Sequence, residues 1–306
     1  MPTPRQYNVA FSFFPYGGNG AAPSEHPAIR RWWGKTCQAL TKNPLVRAFD
    51  SFDYADTPIT MTRNRAVYGA RKAGADILFM IDSDMVPDLY LNKEYAVSMG
   101  GAHVGDVRPF VDTAIEYIDS HYEKGPTVIG APYCGPPPEE APYLFTWESY
   151  PSGRDNPNIR LRMFTRKEAC EATGIGEVAA LPTGLIAFDL RVFDHCEPKP
   201  GDKNGWFYYE YSDQYQMEKS GTEDVMCTRD LSLAVQRDLG YNPLRCAWDC
   251  WAGHVKPTVV GKPIPVYLDK IEERFRRAVQ ESVTFGERVI EVGLDQPLGE
   301  NGPPQE

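Results

Sequence analysis

The sequence predicts an α/β protein with a central, mostly parallel sheet flanked by helices. Three observations carry this. The first half alternates short apolar runs with helix-period segments, the pattern of strands joined by crossover helices. One run, Ile77 to Ile81 (ILFMI), is continuously apolar, as a strand buried in such a sheet is. With 306 residues, 42% of them hydrophobic and 12% aromatic, the chain can bury a sizeable core.

The elements follow in order. NVAFSFF, Asn8 to Phe14, is a short strand closed by Pro15 and a turn-rich GGNG. Pro27 to Leu40 carries a helix pattern, and LVRAF, Leu45 to Phe49, is the next strand. Thr60 to Lys72 places Ala66, Val67 and Ala70 on one helical face. Asp76 to Ile81 is a strand flanked by Gly74 and Pro87, and Asp88 is suited to cap a helix over DLYLNKEYAVSM. RPFVDTAIEYIDSHYEK reads as a helix and TVIGAPY, Thr127 to Tyr133, as a buried strand. The run Gly135-Pro136-Pro137-Pro138 with Glu139 and Glu140 is a loop; Tyr143 to Arg166 turns β-like. ALPTGLIAFD, Ala180 to Asp189, is an apolar strand interrupted by Gly184. Glu223 to Leu239 is a strong helix, Tyr267 to Val292 an amphipathic one, and LGENGPPQE a disordered tail over 297–306. No internal repeat or linker divides the chain. A single domain over 1–296 is expected, with halves at 5–88 and 89–262 and a helical segment at 263–296, the second half including a smaller antiparallel subregion.

Composition narrows the function. Acidic residues number 42 against 32 basic ones, a net charge of -10, which argues against bulk attraction to nucleic acid or an anionic membrane. The start lacks a basic segment followed by an apolar core, and no apolar run is long enough to span a membrane, so a cytoplasmic protein is expected, in host cytoplasm if it is viral. Seven cysteines without a CxxC pair read as free thiols in a reducing compartment.

Three stretches carry chemistry. In a parallel α/β sheet ligands bind beyond the carboxyl ends of strands, where Asp82 and Asp84 lie. Residues i and i+2 of a strand share a side, so both acids can converge on one object, and they repel unless a cation lies between them. Hard oxygen ligands suit Mg²⁺ or Mn²⁺ together with a nucleotide phosphate; a solvated turn after an edge strand is the bland alternative. In GTEDVMCTRDLSLAVQRDLGY, Thr222 is placed to cap a helix, with Glu223 and Asp224 at its positive end. That is sufficient structurally, yet an acid there is also placed to act as a general base. In WDCWAGHVKP, His254 sits in a loop-like context where an imidazole can complete a metal shell or simply be structural.

Taken in order, TRNRAVYGARKAGADILFMIDSDMVPD, ALPTGLIAFDLRVFD, GTEDVMCTRDLSLAVQRDLGY and WAGHVKP resemble the GT-A glycosyltransferases of the family 2-like group, over Tyr7 to Pro257. The resemblance implies a Rossmann-like nucleotide-binding fold and sugar transfer from a nucleotide diphosphate donor, UDP-linked, to a hydroxyl acceptor. It implies that Asp84 binds Mn²⁺ or Mg²⁺, that Asp82 lies by the ribose or the metal's shell with Ser83 beside it, and that His254 is a third ligand. Asp224, or else Glu223, becomes the base of an inverting transfer; a metal-binding histidine is commoner in retaining members, so stereochemistry stays open. Pro15 and Tyr16 fall beside the nucleotide base, Arg63 near the nucleotide or its phosphates, and Asp50 and Asp53 are both candidates for the uridine-binding acid. Gly184 marks the acceptor side. The aromatic stretch GWFYYEYSDQYQMEKSG suits either a core hairpin or a lid, with Trp206, Tyr208 and Tyr211 as acceptor contacts. Two rivals remain. A nucleotidyltransferase is disfavoured because no basic residue follows GGNG before Arg30, and a non-catalytic sugar-nucleotide-binding protein would need no intact acids. The acceptor is open among saccharide, lipid-linked sugar, protein side chain, small metabolite and hydroxyl-bearing nucleic-acid base.

Overall fold

The structure, a computed structural model, describes residues 5–15, 27–54, 58–91, 107–135, 140–149, 160–200, 205–211, 219–256 and 258–260. These lie within one compact unit spanning residues 1–262. The expected C-terminal helix and tail, GGNG and most of the proline run lie outside the described residues.

In chain order the elements are β1 (Tyr7–Phe14), α1 (Pro27–Leu40), β2 (Val46–Asp53), α2 (Ile59–Lys72), β3 (Ile77–Asp82) and β4 (Met85–Val86). Then come α3 (Phe110–His121), β5 (Val128–Gly130), β6 (Phe145–Ser149), β7 (Arg160–Met163), α4 (Arg166–Glu171), β8 (Ile175–Glu177) and β9 (Leu185–Asp189). The last are β10 (Glu210–Tyr211), β11 (Lys219–Gly221), α5 (Glu223–Leu239), β12 (Leu244–Ala247), β13 (Gly253–Lys256) and β14 (Thr258–Val260).

A seven-stranded sheet of order β2-β1-β3-β9-β5-β12-β8 forms the centre. Strands β2, β1, β3, β5 and β12 run one way; β9 and β8 oppose them. The mixed α/β class expected from the sequence is the one observed, with small antiparallel sheets β6-β7, β10-β11 and β14-β13-β4 beside it.

The apolar run of β3 explains the layering, because a strand alternates its side chains between faces. Leu78 and Met80 pack with Ala66, Val67 and Ala70 of α2 and Cys227, Leu231 and Val235 of α5. Ile77, Phe79 and Ile81 pack on the other face with Ile29, Trp32 and Leu40 of α1 and Phe110, Ala114, Ile115 and Ile118 of α3. The five apolar β3 side chains, Ile77 to Ile81, are fully buried, each contributing roughly 1.5–3 kcal/mol. Helices α2 and α5 therefore share one face of the strand that carries Asp82.

One expectation changes and one lies largely outside the described residues. A 3-10 turn, Leu89–Leu91, directly follows Asp88, and the rest of the helix expected there falls beyond the described residues. The Asp88 backbone is left-handed (φ 53°), and its carboxylate accepts from the Phe110 amide at 2.8 Å and from Trp32 Nε1 at 2.7 Å, so it serves the start of α3. The strand expected over Ala180 to Asp189 starts only at Leu185 and lies antiparallel between β3 and β5. No described helix is long and apolar enough to cross a membrane.

Candidate active site at the end of strand β3

Strand β3 stops at Asp82, and a turn at Ser83 and Asp84 leads into β4. The two acids are therefore not consecutive same-side positions of one strand, as the period-two argument assumed. Each finds its own partner.

Asp82 turns to α2. Arg63 Nη2 donates to both its carboxylate oxygens, at 2.9 and 2.8 Å, while Nη1 donates to Glu223 Oε1 at 2.5 Å. Arg63 is only 4% exposed, so this is a buried, forked guanidinium bridging a strand end and a helix start. One cation cannot neutralise three nearby carboxylates. Burial raises the Asp82 pKa; Arg63 opposes this, and the charges of Asp84 and Asp224 add to the rise. Burial likewise raises that of Glu223, against Arg63 and with Asp224 and Asp82 adding. Arg63 itself is held charged, since Asp82, Glu223 and Asp224 outweigh the cost of its burial. Arg63 is thus engaged with carboxylates inside the protein, and both Asp82 oxygens accept from it, although the Asp82 side chain stays 25% exposed.

The start of α5 separates the two acids proposed as base. Glu223 is 8% exposed and held by Arg63 and the Tyr209 hydroxyl. Asp224 is half-buried; its Oδ1 accepts from Thr222 Oγ1 at 2.6 Å and from the Val225 amide at 2.8 Å. Its Oδ2 has no partner among the described residues. Thr222 occupies the N-cap position but makes no capping hydrogen bond; its hydroxyl orients Asp224 instead. An oriented carboxylate with one open oxygen is the form a general base requires.

His254 reaches Asp84 through the backbone. β13 pairs antiparallel with β4, setting His254 opposite Met85, and the Val255 amide donates to the Asp84 carbonyl at 2.8 Å. His254 Nδ1 lies 3.0 Å from the Cys134 carbonyl and Nε2 3.3 Å from Asp84 Oδ2. A carbonyl only accepts, so Nδ1 must carry the hydrogen, and a neutral ring then turns the Nε2 lone pair toward a carboxylate oxygen. Two acceptors face each other unless a proton or a cation lies between them. An imidazole that donates its far N–H to a carbonyl is also the usual posture of a metal-ligating histidine. Among the described residues no three His, Cys, Asp or Glu side chains group as a metal site. The residues fit a divalent cation as a two-ligand set of Asp84 and His254, with the remaining positions for phosphate oxygens and water; Mn²⁺, which accepts imidazole more readily than Mg²⁺ does, suits it better.

The other expected residues divide. Gly184 lies against the cluster: its carbonyl accepts from the Asp82 amide at 2.9 Å, and its amide donates to Tyr133 Oη at 3.2 Å. A Cβ there would lie 2.7 Å from Tyr133 Oη, so the close approach requires glycine. Asp53 stands in the row of Phe13 and Ile81, beside the strand end, whereas Asp50 is three residues back on the opposite face. Both are exposed. Pro15 directly follows β1; Tyr16 lies outside the described residues.

Trp206 and Tyr208, expected at the acceptor, are both buried. Trp206 is 5% exposed, donates Nε1 to the Cys196 carbonyl at 2.6 Å and packs on Tyr68 and Phe193; buried Tyr208 donates to Asp230 Oδ2 at 2.8 Å. Tyr211 is half-buried, its ring 6.4 Å from that of Tyr209. Three residues escaped the sequence reading. Asn64 binds the backbone of Trp206 and Phe207, Tyr133 links Gly184 to the His254 ring, and Tyr209 reaches Glu223. Burial raises the Tyr133 phenol well above its usual value, with the Asp224 and Asp82 charges adding, and burial with Glu223 pushes Tyr209 up to about 12. A cavity of about 390 Å³ lies elsewhere, between α1, Val86–Leu91 and the start of α3.

No protein-family model matches the sequence, and no curated protein does. Among solved structures, A197 from STIV is 10% identical over 84% of this chain and 95% of its own, with a TM-score of 0.42. A Bacillus anthracis protein assigned as a glucose-1-phosphate thymidylyltransferase, in complex with sucrose, is 11% identical over 86% and 93%, TM-score 0.37. A UDP-glucose pyrophosphorylase complexed with UDP-glucose is 12% identical over 89% and 99%, TM-score 0.33. Likeness of this degree carries no assignment of function.

Proposed function

We propose that the protein is a metal-dependent glycosyltransferase of GT-A type that moves a sugar from a nucleotide diphosphate donor, UDP-linked, to a hydroxyl acceptor. One observation carries the reading: Asp84 and His254, far apart in sequence, bring a carboxylate oxygen and an imidazole nitrogen to 3.3 Å, with the other imidazole nitrogen facing the Cys134 carbonyl. Asp82, Glu223 and Asp224 outnumber Arg63 in the same neighbourhood, so an anionic diphosphate is attracted there only in the company of a cation. Bound between Asp84 and His254, Mn²⁺ or Mg²⁺ would neutralise charge on the departing nucleoside diphosphate.

The chain's own groups supply the rest. Asp224 Oδ2 takes the proton from the acceptor hydroxyl; the oxygen forms its bond to the anomeric carbon as the bond to the diphosphate breaks, with inversion. Asp53 and Pro15 border the nucleotide end of the cleft, and Tyr211 remains as the aromatic candidate on the acceptor side.

The test is incubation with UDP- and GDP-sugars, Mn²⁺ and simple hydroxyl acceptors. Release of nucleoside diphosphate with an inverted product is expected. A retained anomer would remove Asp224 as base, pyrophosphate release would indicate nucleotidyl transfer, and binding without turnover would leave a sugar-nucleotide-binding protein.

A further inference from the structure

Adjacent residues of α2 hold both ends of the chain that leads into α5. The Asn64 side-chain oxygen accepts from the Trp206 and Phe207 amides at 2.8 and 3.1 Å, and its nitrogen donates to the Phe207 carbonyl at 3.0 Å. Asn64 is 6% exposed and fits because residue 205 is glycine: Gly205 has φ 135°, and a Cβ there would lie 2.4 Å from the Asn64 side chain. One residue earlier, Arg63 grips Glu223, at the far end of that stretch, and both oxygens of Asp82. The chain leaves one turn of α2 at Phe207 and returns to the same turn at Glu223.

We infer that Arg63 and Asn64 are a pair of positioning residues that set the distance between the end of β3 and the start of α5. Arg63 fixes the first turn of α5, and with it the direction of Asp224 Oδ2; Asn64 fixes the chain entering the site ahead of that helix. What they position rests on the proposed sugar transfer, whereas the positioning itself does not. A planar guanidinium holds two carboxylates at once in fixed directions, which an ammonium on a flexible stem does not. Neither residue touches the reacting atoms: Arg63 is buried and spent on Asp82 and Glu223, and Asn64 is spent on backbone. A misplacement of about 1 Å in such an arrangement costs about 100-fold in rate.

Arg63→Lys keeps the counter-charge and removes the fork, and Asn64→Ala removes the other tie. Nucleoside diphosphate release is measured as kcat and donor KM separately, and amide hydrogen exchange is followed at Val225, Met226, Trp206 and Phe207. For Arg63→Lys the expectation is kcat about 100-fold lower with donor KM within about threefold. Exchange should be about tenfold faster at Val225 and Met226 and unchanged at Trp206 and Phe207. Asn64→Ala should reverse that exchange pattern. Wild-type kcat and exchange in Arg63→Lys would reduce Arg63 to a counter-charge, and a raised KM with unchanged kcat would make it a donor contact; either overturns the inference. If Arg63→Lys does not fold, the Asn64→Ala exchange pattern decides. If the wild type turns over no nucleotide sugar, the proposed function fails and the exchange measurements alone judge the positioning.

Discussion

Asp224 and Glu223 are neighbours of the same charge with different fates, because one is buried against Arg63 and the other keeps an oxygen open. Asp224→Asn should keep donor binding and lower turnover by about 100- to 10,000-fold, measured as kcat at saturating donor. The raised pKa of Glu223 also sets a pH dependence. Above 4.5 the unfolded chain releases a proton that the folded protein retains, so this contribution to stability is complete below 4.5 and is lost as pH climbs through the raised value. Urea unfolding from pH 4.5 upward should therefore show a fall that Glu223→Gln flattens. Arg63→Met leaves buried acids uncompensated and should cost about 3–5 kcal/mol in the same measurement. The sequence placed both acids at a helix start. It could not separate them, since the difference lies in what each is buried against. Nor could aromatic composition tell a lid from a core: Trp206 and Tyr208 have the same residue types either way.

At the scale of elements, the long periodic segments were legible and the short ones were not. The spacing of Ala66, Val67 and Ala70 in α2, the unbroken run of β3 and the full length of α5 each declare themselves within one window of sequence. Strands β4 and β13, two and four residues long, have no period to read, yet their pairing is what brings His254 beside Asp84. One signal was available and missed. Thr165 and Glu168 form a capping box on α4, and Thr165→Ala should lower stability by about 1 kcal/mol in chemical unfolding. Gly184 marks where an apolar stretch becomes part of the site, since its backbone joins Asp82 to Tyr133. Gly184→Ala should cost about 1–3 kcal/mol through the clash with Tyr133 and also reduce activity, whereas Gly34→Ala, with nothing within 4 Å of the added carbon, should leave activity unchanged.

For the whole molecule, the direction of the strands decides where function collects. β1, β2 and β3 end together, and helices from one face of the sheet bring Arg63 and Glu223 to that end, while a separate small sheet brings His254. The result is a strand-end cluster with more acids than cations, on a protein of net charge -10. Such a cluster repels a diphosphate by itself and accepts one through a bound cation. Asp84 and His254 are the residues proposed to hold that cation. Calorimetric titration of UDP into the wild type and into His254→Ala, each with Mn²⁺ and with chelator, tests that assignment most directly. Binding by the wild type is expected with Mn²⁺ and not with chelator, with an affinity lowered by about 10- to 100-fold in His254→Ala. UDP binding of equal strength with chelator, or undiminished in His254→Ala, would contradict it.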